Sequence, residues 1–136
     1  MKQRSAGKNW FIFLIIASLS ILSSCGGSSK STPEATLSVT TTPAVNSTQT
    51  PAVGPFNLNV TITSAMPASG VTIVVSAAPD GSSTTFFSTS KSTTTASNNF
   101  TITNTPVAVT SVATIKVTSN STSTNTWTGS YRYAAK

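Results

Sequence analysis

Phe56-Asn57-Leu58-Asn59-Val60-Thr61-Ile62-Thr63 alternates apolar and polar residues without a break. A period of two marks a strand with one face buried and the other in water. The same phase returns at Val71, Ile73, Val75 and Ala77 in GVTIVVSAA and at Phe100 and Ile102 in NFTIT. It returns again at Ala113, Ile115 and Val117 in VATIKVT, and at Trp127, Gly129, Tyr131 and Tyr133 in TWTGSYRY. No window carries a capped apolar stripe of helical period. The predicted fold class is therefore all-β.

Turn chemistry separates these runs. Met66-Pro67-Ala68-Ser69-Gly70 divides the first two, and Ala78-Pro79-Asp80-Gly81 places Pro, Asp and Gly where a tight turn uses them, joining 71–77 to a partner at 83–88 as a hairpin. Ser97-Asn98-Asn99, Thr105-Pro106 and the stretch from Asn120 to Asn125 mark further turns. Six or seven short strands at this spacing predict a single antiparallel β-sandwich over 54–136. The pattern resembles immunoglobulin-like or fibronectin type III-like sandwiches. It departs from an antibody domain in lacking a cysteine pair and in carrying Trp127 on the last strand. Without a disulfide, about 80 residues must hold themselves together by packing alone.

Upstream the composition changes. Residues 25–53 are rich in Ser, Thr, Gly and Pro, with Pro33, Pro43 and Pro51 spaced through them, too little apolar surface to offset the entropy of ordering. This predicts a disordered, semi-extended tether that reaches at most about 90–100 Å. Within it Leu37 and Val39 alternate with Ser38 and Thr40, so 36–41 is also readable as a first strand of the sandwich.

The first 25 residues give an address. Lys2, Arg4 and Lys8 precede a mostly apolar run from Trp10 to Leu22, and small residues follow. That is the anatomy of an export signal, and the run is short of the ~20 apolar residues of a spanning helix. Leu22-Ser23-Ser24-Cys25 resembles the lipobox of bacterial lipoprotein precursors. The resemblance implies cleavage between Ser24 and Cys25, removal of 1–24, a diacylglyceryl thioether on Cys25 and an acylated new amino terminus. Palmitate-like chains would then make the lipid bilayer a partner through Cys25. Gly26 at the next position implies the outer membrane where the cell has one, with the leaflet open. Cys25 is the chain's single cysteine, and acylation accounts for an unpaired exported thiol; two or more chains anchor stably where one does not. An ordinary secretory signal cut near Ser23 would leave that thiol free.

Charge and chemistry exclude several classes. The full chain carries +6, but three of its eight basic residues lie in the signal, and the remaining five against Glu34 and Asp80 leave +3. Lys30, Lys91, Lys116, Arg132 and Lys136 form no run, so no nucleic-acid partner is expected. The chain has no histidine and two carboxylates, which leaves no catalytic triad, no carboxylate pair for glycoside hydrolysis and no calcium cage. Neither enzymatic activity, a metal nor a cofactor is expected.

A binding role is what the residues leave open. Trp127, Tyr131 and Tyr133 share one strand face, which suits either a core or a platform for sugar rings or partner side chains. Phe86 and Phe87 are neighbours, so on a regular strand one of them should face solvent unless a bulge or a second sheet covers it. Two functions follow as expectations: a structural or protein-interaction module of the cell envelope, or a carbohydrate-binding module using these aromatics.

Overall fold

The computed structural model describes residues Thr32–Lys136; Ser24 and Cys25, and with them the expected cleavage and lipidation, lie outside the described residues. Seven strands follow in order: β1 Val39–Thr42, β2 Phe56–Ile62, β3 Val71–Pro79, β4 Phe87–Thr93, β5 Ser97–Ile102, β6 Thr110–Ser119 and β7 Thr126–Ala134. They form two antiparallel sheets, β1-β2-β5 and β4-β3-β6-β7. The described residues form an all-β sandwich.

The alternating residues meet between the sheets. Leu58, Val60 and Ile62 of β2 and Phe100 and Ile102 of β5 face Val71, Ile73, Val75 and Ala77 of β3 and Ala113, Ile115 and Val117 of β6, all buried. Residue size is matched across the four-stranded sheet. Phe87, Ala77, Ala113 and Tyr131 lie in one cross-strand row, and Thr89, Val75, Ile115 and Gly129 in the next. Two alanines thus separate two large rings, the alternation of large and small that lets a core interdigitate. At Gly129 a Cβ would lie 2.5 Å from the Trp127 ring and 2.6 Å from Val45 Cγ1. Only a residue without a side chain lets that ring and Val45 close over the strand.

Three boundaries differ from the sequence expectation. The region assigned to the tether is shorter: Leu37 and Val39 are buried, β1 pairs with β2 from Val39·Ile62 to Thr42·Asn59, and residues 46–52 run parallel to β7. Asn46 N–H donates to Ser130 C=O (2.7 Å), Gln49 N–H to Arg132 C=O (2.8 Å) and Arg132 N–H to Ser47 C=O (2.9 Å). Backbone pairing with an existing edge holds this stretch although its composition buries little.

The hairpin partner of β3 begins at Phe87 rather than 83, because residues 80–86 form a longer loop in which Asp80 N–H donates to Thr110 C=O (2.9 Å). The Ser97-Asn98-Asn99 turn lies one step earlier, at 94–96. Asn98 is itself buried in β5, and its Nδ2 closes that turn by donating to Thr95 C=O (2.9 Å).

Where the chain joins the sandwich it is clipped by Asn125 of the β6–β7 loop. Asn125 Nδ2 donates to Glu34 Oε1 (2.5 Å) and Ala35 C=O (2.9 Å), and its Oδ1 accepts from Leu37 N–H (3.0 Å). Asn125→Ala is expected to cost about 1–2 kcal/mol and to expose 34–38 to protease while the sandwich stays folded, as limited proteolysis and a denaturant titration would report.

Candidate functional site

The aromatics singled out in the sequence do not assemble into a surface. Tyr131 and Tyr133 are 2% and 1% exposed, with their rings 5.8 Å apart, and both belong to the core. Burial raises both phenol pKa values. For Tyr131 the neighbouring Tyr133 adds to the rise, whereas for Tyr133 a hydrogen bond with Thr105 opposes it. Trp127 is half-buried over Gly129.

Phe86 and Phe87 are both half-buried, the outcome expected where a bulge interrupts the regular strand. Phe86 N–H donates to Ala77 C=O (2.9 Å) while Phe87 is the residue paired with Ala77. Two residues against one is the geometry of a bulge, which turns both rings toward the core. Among the described residues these five rings form no exposed platform of the kind on which a sugar ring stacks.

The two carboxylates lie at opposite ends of the sandwich. Glu34 sits beside Asn125, and Asp80 Oδ2 accepts from Arg132 Nε at 2.8 Å. The guanidinium's hydrogen bond holds the Asp80 carboxyl below its ordinary pKa, and Arg132 is raised in return. Both groups are exposed, so the pair adds little stability. These carboxylates cannot flank one bond.

What the fold does build is an apolar groove at the end opposite Asn125. The strand registers put Leu37, Thr63, Gly70 and Asn120–Asn125 at one end, and Pro55, Asp80, Val107–Val109 and Ala135 at the other. Among the described residues the exposed large apolar side chains are Val53 (80%), Val107 (67%) and Val109 (36%), all at this second end.

Val53, Pro55, Phe56, Ile102, Val107 and Ala135 line a groove of about 460 Å³, with Lys136 as the one charged residue beside it. Its floor is fixed from below. The Phe56 ring meets Tyr133 edge-on at 4.7 Å, and the Tyr133 hydroxyl lies 3.2 Å from Thr105 Oγ1. The loop above it turns through left-handed backbone at Asn104 (φ 60°) and Ala108 (φ 58°), which aims Ala108 N–H at Ala135 C=O (2.9 Å).

Clefts of this size with apolar walls and few polar groups are the usual form of a binding site. Sequence reasoning missed it because Val53 lies in the Pro-rich run PAVGP and Val107 and Val109 follow Thr105-Pro106. Composition assigns the first to a tether and the others to a turn. Compared with known proteins, the chain matches no family model, no curated protein and no solved structure.

Proposed function

We propose that this chain is a lipid-anchored, non-catalytic protein of the bacterial envelope, and that its sandwich presents a protein-interaction face away from the membrane. The observation that carries the reading is the polarity of the domain. The chain enters at the Asn125 end, and the exposed valines and the groove lie at the other.

The anchor is read from the sequence, through acylation of the single cysteine, Cys25. From Cys25 to Glu34 there are nine residues, a reach of at most about 30 Å. That is far shorter than the spacer expected from composition, and it keeps the Asn125 end next to the headgroups and the groove outward. Among the described residues no helix is long and apolar enough to cross a membrane. The outer membrane is the proposed location.

Mass spectrometry of the mature amino terminus tests the anchor: an acylated Cys25 is expected, and a free thiol there would end the reading. A photo-crosslinking residue at Val107 tests the face. In cells it should capture a defined partner that the same residue at Ser121, by the Asn125 end, does not. Equal capture at both positions would remove the proposed polarity.

A further inference from the structure

Four strand edges bound the two sheets, and three are blocked. The β7 edge is covered by residues 46–52. β1 has four residues and runs into Pro43. β4 carries Lys91 opposite the buried Ile73, so its side chain starts on the inward face of an edge strand, a recognised means of discouraging strand addition.

β5 has no such device. Ser97 through Thr103 hold neither charge nor proline. Ile62 N–H donates to Ala96 C=O (2.9 Å), so by the alternation of an antiparallel ladder the bonded pairs are Val60·Asn98, Leu58·Phe100 and Phe56·Ile102. Ser97, Asn99 and Thr101 therefore point their N–H and C=O groups outward from the sheet edge, and their side chains are exposed.

We propose that β5 accepts an extended segment of another protein as a fourth strand of its sheet, and that this segment carries a carboxylate on the side turned toward Lys91. β1 and β7 share one side of the sandwich through the run 43–46, and the three-residue link 94–96 puts β4 and β5 on the other. Lys91 thus stands on the open side beside the β5 edge. Among the described residues the one ion pair is Arg132–Asp80, so Lys91 has no carboxylate partner.

That charge selects the occupant. Two copies joined antiparallel through β5 would bring two Lys91 residues to the same joint, and like charges there are destabilising. A partner strand with an acidic residue on its inner face gains backbone hydrogen bonds and a charge partner together. The inference deepens the reading of the sandwich as an interaction module. It does not depend on the lipid, and the β5 edge at Ser97–Thr101 adjoins the distal groove only where Ile102 and Thr103 line it.

The test uses the isotope-labelled full chain in detergent, titrated with a short peptide of alternating threonine and valine with one central glutamate, and with its lysine counterpart. Amide signals of Ser97, Asn99 and Thr101 should shift and exchange more slowly, with the glutamate peptide favoured about tenfold. Lys91→Glu should reverse that order. Asn99→Pro removes an outward N–H without touching the β2 ladder, so it should abolish both responses while the fold is retained. The proposal is overturned by shifts confined to the Val53–Val107 groove, by no shift at β5, by equal affinity for the two peptides, or by self-association of the chain that Asn99→Pro removes.

Discussion

Ile115→Ala is expected to remove about 4 kcal/mol of folding stability, near the top of the range for truncating a buried isoleucine. Ile115 is fully buried on β6, a central strand of the larger sheet, between Val75 of β3 and Gly129 of β7. The size of the loss depends on how far the surroundings can collapse into the void. Val75 is itself buried and fixed in its own strand. Gly129 has no side chain to lean inward, and the Trp127 ring that covers it is already in contact, so the cavity should persist.

A domain of this size is stable by roughly 5–15 kcal/mol in total, and the chain's single cysteine forms no internal disulfide to limit the damage. The midpoint of thermal unfolding should fall by roughly 20 °C. Lys116→Ala, the exposed neighbour, should stay within about 0.5 kcal/mol. Denaturant and thermal titrations of both variants check this, and equal losses in the two would show that the β6 inner face is not the core.

The core was legible for a simple reason. Each of β2, β3, β5, β6 and β7 buries one face, so the apolar period survives in residues such as Leu58, Ile73, Phe100, Ile115 and Tyr131. β4 was misplaced because its sequence, FSTSKST, has no apolar alternation and lies at an edge. Its pairing comes from β3, and tertiary context rather than intrinsic preference decides such strands.

The run 46–52 was hidden in the same way, because its contacts with β7 are made by backbone groups that any residue carries. The groove was invisible for the opposite reason. Val53 and Val107 are distant in sequence, and their nearness depends on the parallel seating of 52 and 107 on Ala135.

Raising the pH above about 10, where a free tyrosine ionises, should unfold the sandwich cooperatively, with both tyrosines ionising in that one step. The chain has two tyrosines, and both are core residues whose phenol pKa is raised by burial, Tyr131 the more strongly. The sign follows from linkage. A folded pKa above the unfolded one means that the folded state keeps its proton when the unfolded state has lost it. Stability is therefore complete below the unfolded value and declines as pH rises beyond it. The decline is at most about 1.4 kcal/mol per pH unit for each tyrosine.

Tyr131 separates this effect from general alkaline damage, because its hydroxyl is buried without a hydrogen-bond partner, whereas that of Tyr133 faces Thr105. Tyr131→Phe removes an unsatisfied polar atom and keeps the ring, so near neutral pH it should be neutral or stabilising by about 1 kcal/mol. It should also flatten the alkaline decline, leaving the Tyr133 contribution alone. Tyrosinate absorbance and circular dichroism followed through the same titration test both points. Tyrosine ionising well before the fold is lost, or a variant as alkali-sensitive as the parent, would show that Tyr131 reaches solvent in the native sandwich.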